Sequence, residues 1–188
     1  MRIIRAADCR TMPWKNGGGT TTEIVVSPEG ASLSDFDWRV SMAQVDADGP
    51  FSVFIAIDRT LCVLKGKGIR LAFGDGEAVT LDAASAPFAF AADRAVEGVL
   101  LDGPIVDLNV MSRRGAWTHR VERLNGPGEH PITCEAVLLL VAPEGGWRIG
   151  DATLSAGDSL LIHGPDEMAC VSDDAGRALY VIRLLPAA

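Results

Sequence analysis

The chain has 188 residues, of which 48% are hydrophobic and 22% charged, an ordinary globular composition long enough for one good core or two small modules. Its formal charge of −8 and pI near 4.8 argue against a nucleic-acid surface, which needs a basic patch. The one dense basic cluster, Arg113-Arg114 with Arg120 and Arg123, reads as a solvated turn or an inter-module contact. No apolar run approaches the roughly 20 residues of a membrane helix, and the start, Met1–Arg10, lacks a signal-peptide core, so a cytoplasmic protein without membrane contact is expected.

Arg2–Arg5 is the first predicted strand. Trp14-Lys15-Asn16-Gly17-Gly18-Gly19-Thr20 follows, and three consecutive glycines carry a folding entropy cost that points to an unusual backbone shape. The segment reads either as a glycine-rich hairpin turn with a packed tryptophan or as an anion-binding concavity of N–H groups beside Lys15 and the Asn16 amide. It is not a phosphate loop, because the lysine precedes the glycines. Strands are predicted over Thr20–Ser27 and Trp38–Val45, with a short helical turn at Ser32–Phe36 capped by Ser32 or Ser34 between them. Leu61–Lys65, Ile69–Phe73, Ala78–Leu81, Gly98–Leu101 and Asp107–Ser112 continue the first set. A Gly/Pro-rich break at Asn125–Pro131 precedes Ala136–Val141, Trp147–Ile149, Ala152–Leu154, Ser159–His163, Met168–Ser172 and Leu179–Leu184. Short strands at regular spacing predict an all-β antiparallel sandwich or barrel.

Two segments rhyme. Leu61–Gly68 and Val137–Gly145 each run from a strand into a glycine-bearing turn, and each is followed by strand, turn and strand. Leu154–Ile162 is a strand, tight turn and strand, with a weaker counterpart in Leu81–Phe88. Two small jelly rolls on one plan would give this pattern.

The VLxGxG turn at 63–68 and the LxxGDxLLI unit at 154–162 resemble the cupin superfamily, and the pair resembles a bicupin. WKNGGGTTTEI (14–24), WRVSMAQV (38–45), GPFS (49–52), IDRTLCVLKGKG (57–68), DLNVMSRR (107–114) and LxxGDxLL (154–161) together resemble the HutD/Ves family. The resemblance implies two double-stranded β-helix barrels in one compact unit and a link to histidine utilisation. It further implies binding of a small acidic catabolite such as formylglutamate, in a regulatory rather than an enzymatic role. Residues 1–124 are expected to form the barrel with the ligand pocket, and residues 125–188 a smaller, packed, structural module.

Many cupins hold a metal through two histidines and a glutamate ahead of the glycine turn. Those positions fall near Val53, Ile55 and Asp58 or Arg59 here, and His119, His130 and His163 are far apart, so neither a metal nor any other cofactor is expected. Cys9, Cys62, Cys134 and Cys170 show no CxxC pairing and read as free thiols.

The strand Trp38–Val45 alternates, with Trp38, Val40 and Met42 on one face and Arg39, Ser41 and Ala43 on the other. Either face could be the interior. Asp107, Asn109 and Met111 likewise share one face, and two strands with mixed polar faces suit a barrel whose mouth holds a ligand. The family resemblance assigns Arg39, Ser41 and Asn109 to that pocket. Arg59, at the head of an apolar strand, reads either as an exposed ion pair with Asp58 or Asp93 or as a planar fork for a carboxylate; its place favours the fork. Lys15 would be the second cation and Asn16 and Thr20 neutral donors, with Trp14 also among the ligand-site residues. The expected ligand is thus a small anionic carboxylic acid. Two alternatives stay open: a metal-free enzyme with Glu23 or Asp107 as acid/base, and a structural protein whose outer sheets support a homodimer.

Overall fold

The computed structural model describes residues 1–187. Its strands, in chain order, begin with β1 (Arg2–Ile4), β2 (Arg10–Pro13), β3 (Gly19–Ser27), β4 (Trp38–Val45), β5 (Gly49–Pro50) and β6 (Ile57–Lys65). They continue with β7 (Ile69–Phe73), β8 (Ala78–Leu81), β9 (Phe88–Ala91), β10 (Val96–Leu100), β11 (Ile105–Arg113), β12 (Trp117–Asn125) and β13 (Gly128–Cys134). The last six are β14 (Val137–Val141), β15 (Trp147–Ile149), β16 (Ala152–Leu154), β17 (Ser159–His163), β18 (Asp166–Ser172) and β19 (Ala178–Pro186). One 3-10 turn, Ala6–Asp8, is the only helical element among the described residues, and no helix there is long and apolar enough to cross a membrane.

The chain forms two compact units, Arg10–Ala116 and Met1–Cys9 with Trp117–Ala188. In the first, a sheet ordered β2-β3-β4-β11-β6-β9 accompanies one ordered β5-β10-β7-β8. In the second, β1-β17-β14-β19-β12 accompanies β13-β18-β15-β16. Adding eight to each strand of β4-β11-β6-β9 and β5-β10-β7-β8 gives β12-β19-β14-β17 and β13-β18-β15-β16. The two units are therefore the same eight-stranded antiparallel jelly roll, one extended by β2-β3 and the other by β1. The rhyming segments occupy equivalent places: β6 with β14, and β8-turn-β9 with β16-turn-β17.

Each roll is filled from both of its sheets. Leu61, Val63 and Ile105 meet Ile69, Leu71, Phe73 and Val96 in the first. In the second, Leu138, Leu140 and Val181 meet Trp147, Ile149 and Cys170. β14 is apolar and buried at all five positions, as a strand covered on both faces must be.

Three expectations change. The division falls not at 124/125 but before Trp117, because β12 pairs with β19 over nine residues, from Trp117↔Pro186 to Asn125↔Ala178. The first nine residues join the same unit through β1 and β17. The break at Asn125–Pro131 contracts to Gly126-Pro127, and Ser32–Phe36 is a turn held by Ser32 Oγ to Asp35 Oδ1 (2.8 Å), not a helix.

Candidate functional site

Register fixes which side chains enter the first roll. Arg39, Met111 and Arg59 stand abreast across β4, β11 and β6. The next inward row is Ser41, Asn109 and Leu61, flanked by Glu23 of β3; the one after is Ala43, Asp107 and Val63, flanked by Thr21. Leu61 and Val63 belong to the core between the sheets, so Arg59, two residues before Leu61, points into the same interior. The polar groups thus sit on β3, β4, β11 and, through Arg59, the start of β6, and the apolar filling sits on the rest of β6, β9 and the opposite sheet.

These polar groups form two bonded sets, Arg59 with Asn109 and Asp107, and Arg39 with Glu23. Arg59 is only 7% exposed, and its Nε donates to Asn109 Oδ1 at 2.8 Å, with a second donation from Nη2 to the same oxygen. The Asn109 amide donates in turn to Asp107 Oδ1. Arg39 Nε donates to Glu23 Oε2 at 2.7 Å. The guanidinium carbon of Arg59 lies 4.6 Å from the centre of the Phe51 ring and 5.7 Å from that of Phe90, a stacked position that suits a planar cation. Burial lowers the Arg59 pKa to about 10; Asp107 opposes the shift and Arg39 adds to it. Burial raises the Asp107 pKa to about 6 against Arg59, the Asn109 amide and the Ala43 N–H. Both are displaced because low-dielectric surroundings disfavour charge.

The structure brings together Arg59, Asn109, Arg39 and Ser41 on one inner face. It does not bring Lys15, Asn16 and Thr20 to them. The Trp14–Gly18 loop adjoins the Val45 end of β4, six residues and about 20 Å along the strand from Arg39. Lys15 is exposed there, and the Asn16 side chain turns back to accept the Gly18 N–H at 3.0 Å. The Gly17 N–H goes to Trp14 O at 3.1 Å, so two of the three glycine donors are used within the loop, not presented to an anion. Gly19 is required by close approach: a Cβ there would stand 2.1 Å from Gln44 O. Thr20 opposes Gln44 on the outer parity; Thr21 faces inward and accepts the Trp14 indole N–H at 2.8 Å. Trp14 itself packs against the core of the first roll. The loop is a hairpin turn with a packed tryptophan.

Sequence reasoning missed Phe51 as the aromatic face under Arg59 and Thr21 as the inward hydroxyl. Phe51 stood in the GPFS motif, and the parity of β3 with Glu23 already selected Thr21. The ion pairs considered for Arg59 are made instead by Arg114, at 2.8 Å from Asp58 and 2.9 Å from Asp93. Arg113 forks onto the carbonyl of Phe36, at 2.7 Å from Nη2. Val53 and Ile55, where a metal-binding strand would carry histidines, are 51% and 74% exposed on the segment between β5 and β6. Among the described residues no three His, Cys, Asp or Glu side chains come together to hold a metal ion. All four cysteines are free, and burial drives the Cys170 thiol up to about 12. In the second unit a concavity of about 410 Å³ opens over Met1, Arg148, Glu167, Met168 and Val171. It is a surface feature whose arginine is half-exposed and paired with Asp173 at 2.8 Å, and it lacks the buried, perturbed charges of the first roll.

Two consecutive jelly rolls on one plan, with a polar interior in the first, define a bicupin. The fold matches the bacterial pirin YhhW of Escherichia coli, solved in complex with nickel(II), at TM-score 0.70 and 9% identity over 100% of this chain and 99% of that one. The HutD family model matches residues 6–180, and the chain belongs to the HutD family. It is 35% identical over 142 residues to an uncharacterised 21.2 kDa protein of the hutC 3′ region of Pseudomonas putida, covering 76% of this chain and 74% of that protein. A conserved protein of unknown function from Pseudomonas aeruginosa PAO1 superposes with TM-score 0.90 at 34% identity, covering 97% of each chain. HutD from Pseudomonas fluorescens SBW25, in a structure described as the formate condition, gives TM-score 0.87 at 29% identity over 100% of this chain and 99% of that one.

Proposed function

We propose that the chain is a metal-free binder of a small acidic metabolite of histidine utilisation, formylglutamate-like, with a regulatory role. The observation that supports this reading is Arg59, a nearly buried guanidinium stacked on Phe51 and held by a single neutral side chain, Asn109. An arginine in such a place offers a carboxylate a rigid, weakly hydrated fork in a low dielectric, where the contact is strong. Arg39 adds a second positive charge on β4, across β11 from Arg59, and its own partner, Glu23, is at the more exposed edge of the cluster.

Isothermal titration with formate, formylglutamate, urocanate and glutamate tests the reading. At least one acid should bind well below millimolar, and Arg59→Ala should weaken it by more than tenfold. Binding no tighter than millimolar by all four overturns the ligand class. Tight binding that survives Arg59→Ala removes Arg59 from the site.

One observation favours a second reading. A buried carboxyl at about 6, as in Asp107, suits an acid/base group, so a metal-free enzyme on the same acids is the alternative. It predicts turnover of a bound acid over hours, followed by NMR; an unchanged acid leaves the binder. Assembly through the exposed sheets as a homodimer accompanies the first reading, and light scattering at two concentrations checks it.

A further inference from the structure

Asp107 is 1% exposed; Oδ1 accepts from the Asn109 amide, and the Ala43 N–H favours the charged carboxyl, yet Oδ2 is buried with no hydrogen-bond partner. A buried acceptor with no donor is costly, and native interiors rarely keep one without a reason. The residues around it are not those that fill a barrel. Across the row, Asp107 is followed by Ala43 and Thr21; one row up, Asn109 is followed by Ser41 and Glu23. The small side chains of Ser41 and Ala43 therefore make a low floor between two polar walls, and Thr21 is already engaged by Trp14.

Charge points the same way. Arg39 and Arg59 are balanced by Glu23 and Asp107, all four on the inner face of one sheet. An incoming carboxylate adds one negative charge to this balanced set, in surroundings where an uncompensated charge is expensive. A ligand that also brings a polarised or cationic N–H satisfies the idle oxygen and offsets its own carboxylate.

We propose that Asp107 Oδ2 is the second anchor of the site, and that the ligand is a small carboxylic acid carrying an N–H donor, its carboxylate on Arg59 and its N–H on Asp107. This rests on the reading that Arg59 receives a carboxylate. The Asn109 side chain bridges the two anchors, so donor and carboxylate lie within a few bonds of each other, as in amino acids and N-acylamino acids.

The test is titration of the wild-type protein with glutarate, glutamate, N-acetylglutamate and N-acetyl-N-methylglutamate, repeated with Asp107→Ala and Asp107→Asn. The N–H-bearing acids should bind at least tenfold tighter than glutarate. N-methylation should erase that advantage in the wild type, whether or not the variants fold. Asp107→Ala should reduce the advantage of the N–H-bearing acids over glutarate, measured in the same variant, below threefold. Equal binding of glutarate and the N–H-bearing acids by the wild-type protein overturns the proposal, as does a preference that survives Asp107→Ala, and an ordered water then accounts for Oδ2. In both cases Arg59-dependent binding of glutarate would leave the carboxylate reading standing. Failure of every acid to bind overturns both.

Discussion

The ring of Phe51 meets both Arg59 and Gly98, with the guanidinium 4.6 Å from its centre and its Cε2 edge against a residue without a side chain. Gly98 is in the middle of β10, in the sheet opposite Arg59, and a Cβ there would stand 2.6 Å from Phe51 Cε2 and 3.0 Å from Ile69 Cδ1. Glycine weakens a strand interior, so its presence here goes with the close approach of the ring.

Gly98→Ala should therefore push Phe51 off the guanidinium. The expected result is a melting temperature lower by a few degrees, the effect of overpacking by one methyl at roughly 1–3 kcal/mol. Acid binding should weaken by several-fold in the same variant. An alanine that leaves both calorimetric melting and titration unchanged would show that the ring is not held by the missing side chain.

Asn109 is the hinge of the polar set, since it accepts from Arg59 and donates to Asp107. Asn109→Leu keeps the approximate volume but removes both bonds, leaving a buried cation and a buried carboxyl facing an apolar group. Breaking a buried charged network by losing one partner costs about 3–5 kcal/mol. Chemical denaturation should show a loss of that order. Asn109→Asp, which restores an acceptor for Arg59 but sets a carboxylate beside Asp107, should recover only part of it.

Asp107 gives stability a pH signature. Its folded pKa near 6 stands above the ordinary carboxyl value of 3.8. Between those values the folded state holds a proton that the unfolded chain has released, so this group's contribution falls as pH rises from about 4 to about 6 and is level above. The change is on the order of 2–3 kcal/mol. Arg59, at about 10, stays charged throughout that window. Urea unfolding of wild type and Asp107→Asn at pH 4.5 and pH 7.5 isolates the effect. The variant should gain on the wild type at the higher pH, and a difference that does not move with pH would place the titration elsewhere.

How much of this was legible follows from which partners are local. β4 was readable to the residue because WRVSMAQV alternates, and the shared parity of Arg39 with Ser41, and of Asp107 with Asn109, was correct. Which face was inside was not readable, since Trp38 and Val40 are as buried as Arg39 and Ser41. β12 was missed because Thr118, Arg120 and Glu122 look like a solvated run, and its partner β19 lies at the far end of the chain. β9 was hidden by the alanines and Pro87 around it, although Phe88 and Phe90 carry the alternation that packs on Phe73. The glycine loop misled differently: its composition allows an anion nest, and only the folded hydrogen bonds show that its donors close on themselves. Phe51, just after β5, meets Arg59 inside β6, with no sequence spacing to announce it.

The aspartate of the LxxGDxLL unit has a structural task that can be tested apart from the site. Asp158 is 4% exposed; Oδ1 accepts the Ala6 N–H at 3.0 Å, and Oδ2 accepts the Ser155 N–H at 3.0 Å and Arg5 Nη1 at 2.6 Å. It thus ties the β16–β17 turn to the segment just after β1, the edge strand of the second roll. Burial pushes its carboxyl upward, but the Ala6 N–H, Arg5 and the Ser155 N–H together outweigh it and hold the pKa below the ordinary value. Asp158→Ala strands two backbone donors and a half-exposed arginine, a loss of about 2–3 kcal/mol once solvent screening of Arg5 is allowed for. The lowered pKa places this group's contribution above pH 3.8, to be lost as pH falls further. In Asp158→Ala the amides of Arg2–Ile4 should exchange hydrogen far faster than in the wild type, because β1 is held on β17 by only three residue pairs. Acid binding should be unchanged, since every group assigned to the ligand lies in Arg10–Ala116. Protection of β1 equal to wild type would show that strand pairing alone secures the N-terminus.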